Sequence, residues 1–99
     1  MTLQERIGKL MPKGKIVTIP MDDGLLDGPV GGLKDMRTKV KEIAAAQPDA
    51  ILGFLGPWKQ CREDIGDIAY VLNLTASTKY SSNPQEKVQI YSVEQAVAL

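Results

Sequence analysis

Two patterns of apolar positions divide the chain. Continuous apolar runs predict buried strands over about 15–21, 50–56 and 68–75. Apolar residues at helical spacing, together with start signals, predict helices over about 3–10, 33–46 and 92–99. Strands that alternate with helices are typical of a parallel sheet whose crossovers are right-handed. The pattern therefore predicts the α/β class, with parallel strands and helical crossovers.

Two helix starts carry a capping box, in which a hydroxyl residue is followed three positions later by Glu or Gln. Thr2 with Glu5 begins the first helix, and Ser92 with Gln95 begins the last. By contrast, the segment 57–67, "PWKQCREDIGD", is polar and predicts only one or two helical turns.

The length of the chain, 99 residues, predicts a single domain over 1–99. The segment "VQIY" at 88–91 is a candidate for a short extra strand. Two or three parallel strands leave two edges unpaired, and such edges invite pairing with another chain. A homo-oligomer is therefore expected.

Charge and cysteine content exclude several function classes. Twelve basic residues balance twelve acidic ones, so nucleic acid and anionic membranes are not expected as partners. Cys61 is alone, so no internal disulfide forms and a reducing compartment fits best. With no histidine in the chain, no metal site is expected. No apolar run reaches about 18 residues, and the first ten residues are too polar for a signal peptide, so the expected location is cytoplasmic.

Polar side chains follow each predicted strand, where functional residues of parallel α/β folds collect. Each also has a plainer interpretation: Asp-Asp-Gly is turn chemistry, a tryptophan usually packs, a loop lysine is usually solvated, and Ser/Thr clusters are usually loops. The sequence identifies no basic partner for Cys61 that would make it a nucleophile. The glycines of "GPVGGL" lack the spacing of nucleotide-binding motifs. The candidates are Asp22 and Asp23 at the end of the first strand, Trp58 and Lys59 at the end of the second, and Asn73, Thr75, Ser77 and Thr78 at the end of the third.

Three blocks of the chain resemble one enzyme family. The segment "IPMDDGLLDGPVGGLKDMR" resembles the "PMDHG…GP…GL.D.R" start of the DeoC/archaeal-type class I aldolases. "AILGFLGP" resembles the second strand of that family, and "LNLTASTKYSSNPQEKVQIYSVEQAVAL" resembles its "HLSASTS…NP..K……SVEEAV" region. The blocks occur in the family's order and cover about 15–99. The branch of the 2-amino-3,7-dideoxy-D-threo-hept-6-ulosonate synthases is nearer than that of the fructose-bisphosphate aldolases.

The resemblance implies a (β/α)8 TIM barrel of about 250 residues, of which 1–99 would supply about three βα units. It implies a lyase or transaldolase that acts on ketose phosphates through a Schiff-base lysine and uses no cofactor. Of the family's catalytic groups only the aspartate maps here, onto Asp22. The lysine, a tyrosine and the phosphate loops correspond to positions after Leu99, so the 99 residues alone are expected to be inactive.

The chain departs from the family where the family has histidines. Asp23 and Asn73 stand at two such positions, and Phe54 and Leu55 occupy the region of a third. These departures bear on the substrate. The resemblance implies that Asp22 is the general acid or base. Asp23 and Asn73 would shape the pocket, and together with Thr75 and Ser77 at the third strand end they are the expected substrate-binding residues.

Two other functions remain open. The first is a non-catalytic module that self-associates or completes a barrel with another chain, because the strand edges are unpaired. The second is a small-molecule binding domain that uses the loops 22–28 and 75–83.

Overall fold

The computed structural model describes residues 2–22 and 35–99 of the chain. Asp23, the residues that follow it in the loop expected at 22–28 and the first residues of the helix expected at 33–46 lie outside these ranges. The elements of the described residues, in chain order, are α1 (Leu3–Leu10), β1 (Thr18–Pro20), α2 (Met36–Ala45), β2 (Ala50–Gly53), α3 (Leu55–Ile65), β3 (Ala69–Leu72), β4 (Thr75–Ala76), β5 (Val88–Gln89) and α4 (Val93–Val97).

Three of the strands form one parallel sheet in the order β1-β2-β3. Helix α2 precedes β2 and α3 precedes β3, so each parallel step includes a helix. This confirms the predicted α/β class with parallel strands and helical crossovers. It is also the arrangement that the first βα units of a TIM barrel have.

The hydrophobic core lies between the sheet and the two crossover helices. Ile51 at the centre of β2 is fully buried against Val40 of α2 and Cys61 of α3. Trp58 and Tyr70 are partly buried and pack against this core. The other face of the sheet carries a separate apolar row, in register across the three strands: Pro20, Leu52 and Val71. The side chains of this row do not belong to the core of the helical face.

Helix α3 corrects the expectation of one or two turns over 57–67, because it runs for 11 residues. Trp58, Cys61 and Ile65 are three and four positions apart, so they form one face that packs on the core. Pro57 is tolerated because it lies in the first turn, where backbone N–H groups have no helical partner. The helix ends at Gly66, whose φ is +60°.

The sheet strands are shorter than the expected 15–21, 50–56 and 68–75. Before β1, the N–H of Val17 donates to the Asp49 carboxylate at 2.7 Å instead of to a neighbouring strand. After Gly53, the extended backbone of Phe54 becomes the N-cap of α3 and ends β2.

The strand expected over 68–75 divides after Leu72. Its last residue, Thr75, belongs to β4, which pairs antiparallel with β5 in a second, two-stranded sheet. The short extra strand expected within 88–91 is therefore present as Val88–Gln89.

Both predicted capping boxes are present. The Thr2 and Ser92 hydroxyls accept hydrogen bonds from the backbone N–H groups of Glu5 and Gln95. The Glu5 and Gln95 side chains in turn accept hydrogen bonds from the backbone N–H groups of Thr2 and Ser92. Among the described residues, no helix is both long enough and apolar enough to cross a membrane.

Candidate functional site

Asp22 lies at the carboxyl edge of the parallel sheet. The N–H of Met21 donates to the carbonyl of Leu52 at 2.7 Å, so the pairing of β1 with β2 continues one residue past Pro20. Side chains alternate between the two faces of a strand. Met21 belongs to the core of the helical face, and Asp22 therefore lies on the opposite face, with the apolar row.

Asn73 occupies the equivalent place after β3. Its N–H donates to the carbonyl of Gly53 at 2.8 Å, which extends the pairing of β2 with β3 by one residue. Two positions after Val71, its side chain lies on the same face as Asp22. The Asn73 Nδ2 donates to Oδ2 of Asp22 at 2.8 Å. Residues 51 positions apart are thus joined across the end of β2.

Thr75 holds the other end of the Asn73 amide. Its backbone N–H donates to Asn73 Oδ1 at 3.0 Å, and its hydroxyl donates to the same oxygen at 3.3 Å. The first bond is an Asx turn, in which an asparagine side chain replaces a backbone acceptor two residues away. The turn ends the parallel pairing after β3 and directs the chain into β4.

The other sequence candidates lie elsewhere. The Ser77 hydroxyl donates to the carbonyl of Pro84 at 2.7 Å and so closes the loop between β4 and β5. Trp58 packs on the core, with the Arg62 guanidinium 4.9 Å from its ring centroid. Lys59 is exposed. Asp23 lies outside the described residues. The structure thus brings together Asp22, Asn73 and Thr75, but not Ser77.

Tyr70 is a residue near this edge that the sequence analysis did not single out. Its hydroxyl donates to the carbonyl of Phe54 at 2.8 Å. Burial raises the pKa of Tyr70 above the usual tyrosine range, and the Cys61 and Asp22 side chains raise it further. The sequence signal for this contact is a tyrosine inside an apolar strand, because a phenol removed from water requires a hydrogen-bond partner.

The arrangement is suited to proton transfer. A carboxylate is an acceptor when ionised and a donor when protonated, and a fixed amide donor holds one of its oxygens. The apolar row on the same face provides a surface of low polarity next to it. Among the described residues, no three His, Cys, Asp or Glu side chains are grouped so that they could hold a metal ion.

Comparison with known proteins gives one family. Residues 16–99 match the family model described as DeoC/LacD family aldolase. A 2-amino-3,7-dideoxy-D-threo-hept-6-ulosonate synthase of Halobacterium salinarum is 32% identical over 92 residues, which are 93% of this chain and 35% of that protein. The 2-amino-3,7-dideoxy-D-threo-hept-6-ulosonate synthase 1 of Archaeoglobus fulgidus is 33% identical over 98 residues, which are 97% of this chain and 36% of that protein.

This chain therefore spans about a third of the length of these two relatives. The family match covers all of the sheet strands, both crossover helices, and the positions of Asp22, Asn73 and Thr75. The chain belongs to the DeoC/LacD aldolase family.

Proposed function

We propose that the chain supplies the first three βα units of a class I aldolase or transaldolase, a lyase that acts on ketose phosphates. Membership of an aldolase family supports carbon–carbon lyase chemistry. Both relatives reported above are 2-amino-3,7-dideoxy-D-threo-hept-6-ulosonate synthases, which supports that branch of the family.

One observation carries the proposal: the hydrogen bond between Asp22 and Asn73 at the carboxyl edge of the sheet. Active sites of (β/α)8 barrels lie at the carboxyl ends of the strands. The face on which this bond lies, opposite the crossover helices, is the face that turns inward when a sheet closes into a barrel. The apolar row of Pro20, Leu52 and Val71 supports this, because barrel interiors are filled by packed side chains.

Asp22 is the general acid or base of the proposed reaction. Cleavage of a carbon–carbon bond next to a Schiff base requires a proton to leave the hydroxyl that becomes the aldehyde, and a carboxylate within hydrogen-bond reach can accept it. Asp23 and Asn73 shape the pocket beside it. Thr75 lies beside Asn73 in the proposed pocket. Ser77 lies apart from it, and its hydroxyl would have to leave the Pro84 carbonyl to bind substrate.

The proposed chemistry needs a lysine that forms the Schiff base. The family resemblance assigns that role to none of the 99 residues, and Lys59 in α3 and Lys79 between β4 and β5 are both exposed. A Schiff-base lysine is activated by a desolvated site or a neighbouring cation. The chain alone should therefore form no covalent adduct.

Borohydride trapping tests this expectation. The chain is incubated with fructose 1,6-bisphosphate or dihydroxyacetone phosphate and treated with borohydride. Its mass is then measured by mass spectrometry, with a lysine-dependent aldolase as the positive control. We expect the mass of the unmodified chain. A stable adduct on any lysine of the chain would overturn the assignment of the Schiff-base lysine.

A second candidate function is an interaction module that forms a homo-oligomer or completes a barrel with another chain. It is favoured by the strand pairing, since within the described ranges β1 and β3 each pair only with β2. Open edges are templates for another strand. Size-exclusion chromatography with light scattering tests it, and a strictly monomeric, cooperatively folded chain would exclude it.

A further inference from the structure

The amide of Asn73 is held at both ends. Its nitrogen donates to Asp22, and its oxygen accepts the backbone N–H and the hydroxyl of Thr75. All three residues are partly buried. A hydrogen bond in such a place is worth more than one at an exposed site, because water competes less for the same groups.

The three bonds fix the direction of the amide. If the Asn73 amide turned over, its oxygen would face the Asp22 carboxylate and its NH2 group would face the Thr75 N–H. The first contact joins two acceptors and the second joins two donors, so neither forms a hydrogen bond. Thr75 therefore selects the orientation in which Asn73 donates to Asp22.

We propose that Asn73 is a positioning residue for Asp22, that the Thr75 backbone N–H selects its donating orientation, and that the Thr75 hydroxyl reinforces this orientation. This differs from a direct contact of either residue with substrate. Asn73 fixes the Asp22 carboxylate through Oδ2 and so sets where Oδ1 points. The catalytic meaning of this arrangement rests on the proposed function of Asp22, but the hydrogen bonds themselves do not.

Heteronuclear NMR of the isotope-labelled chain tests the Asn73–Asp22 bond. The scalar coupling through the bond, from Nδ2 of Asn73 to Cγ of Asp22, should be measurable. The only other asparagine, Asn83, is exposed and serves as an internal reference. Exchange of the Asn73 side-chain amide protons should be about fivefold slower than that of Asn83, the protection that one ordinary hydrogen bond gives. A missing coupling with equal exchange rates would overturn the proposal.

Two substitutions at Thr75 test the role of its hydroxyl. Thr75→Val removes the hydroxyl and keeps the branched shape, whereas Thr75→Ser keeps the hydroxyl. We expect faster exchange of the Asn73 amide in Thr75→Val and wild-type exchange in Thr75→Ser. Equal rates in the two variants would overturn the role assigned to the hydroxyl of Thr75.

Positioning is measured at Asp22 itself. The Hα–Hβ couplings of Asp22 should report one χ1 rotamer in the wild type and in Thr75→Ser. They should report averaged rotamers in Asn73→Ala, a change that a general loss of stability does not produce. Unfolding curves identify variants that are folded, and Asn73→Leu, which has a similar shape but no amide, replaces Asn73→Ala if the latter does not fold. A single, unchanged Asp22 rotamer in the folded variant would overturn the proposal.

These readouts do not require enzymatic activity, so they can fail independently of the proposed function. If Asp22 proved dispensable for catalysis while the coupling and the rotamer changes were observed, the proposed function would fail. The positioning of the carboxylate would then stand as a structural fact.

Discussion

The hydroxyl of Tyr70 lies where a side chain at Gly53 would begin. A Cβ placed on Gly53 would overlap this hydroxyl and would lie 3.2 Å from the ring carbon that bears it. The hydroxyl is fixed there by its bond to the Phe54 carbonyl. Glycine at the end of β2 thus allows Tyr70 to join the end of one strand to the start of the next helix.

Gly53→Ala should therefore destabilise the fold. We expect the free energy of unfolding to fall by about 1–3 kcal/mol, as overpacking of a well-filled site does. Urea unfolding followed by circular dichroism measures it. The control is Gly8→Ala in α1, where the added carbon meets no described atom within 4 Å beyond its chain neighbours and the backbone of its own helix. It should be stabilising by about 0.5–1 kcal/mol. Equal effects of the two substitutions would contradict the close approach of Tyr70.

Alkaline pH should weaken the fold through two acids, the partly buried phenol of Tyr70 and the buried thiol of Cys61. Burial raises the pKa of both the Tyr70 phenol and the Cys61 thiol above their ordinary values of 10.0 and 9.0. The folded chain then keeps protons that the unfolded chain has lost, so stability falls as the pH rises. The contribution of Tyr70 is fully present below about pH 10 and is lost above it.

Unfolding curves between pH 8 and pH 11 measure this loss. Tyr70→Phe should show a shallower decline above pH 10 than the wild type, because it lacks one of the two groups. Tyr80→Phe is the matched control, since the Tyr80 side chain is 83% exposed. If the stability of Tyr70→Phe fell as steeply above pH 10 as that of the wild type, the fold would not protect the phenol from ionisation.

The core on the helical face should respond to the loss of a single methyl group. Ile51 is fully buried, and Ile51→Val should lower the free energy of unfolding by about 0.5–1.5 kcal/mol. Ile7→Val makes the same change in α1, where the isoleucine is 49% exposed, and should have a smaller effect. Thermal unfolding of both variants gives the comparison. If the two variants lost the same stability, Ile51 would not be the centre of the core.

The arrangement of the sheet could be predicted from the sequence because it depends on apolar patterning. Runs such as the "AILG" that begins "AILGFLG" indicate buried strands, and helices between such strands favour parallel pairing. The positions of Asp22 and Asn73 at the same edge follow from that topology. The hydrogen bond between them does not follow, because apolar patterning does not determine which side chains at two strand ends come into contact.

The remaining differences have local physical causes. The Asx turn of Asn73 and Thr75 ends the strand expected to continue to 75, since the side chain takes a backbone donor from the ladder. The sequence predicts too short a helix for α3, which has 11 residues, because its buried face consists only of Trp58, Cys61 and Ile65 among polar neighbours. The role of Tyr70 depends on the carbonyl of Phe54, whose place is set by the fold.

The central claim is that Asp22 transfers protons in an aldolase barrel. It can be tested in a chimera in which this chain replaces the matched residues of the Archaeoglobus fulgidus synthase. Turnover and borohydride trapping are measured together, so that proton transfer is separated from Schiff-base formation. The matched control is Asp67→Asn, an exposed acid that precedes β3 at the opposite edge of the sheet.

We predict that the chimera turns over and is trapped by borohydride, and that Asp22→Asn lowers kcat by about 100-fold or more, the usual contribution of a general acid or base. Trapping should persist in Asp22→Asn, and Asp67→Asn should leave both measurements unchanged. An Asp22→Asn chimera with the kcat of its parent, or a folded chimera that is trapped but does not turn over, would contradict the claim.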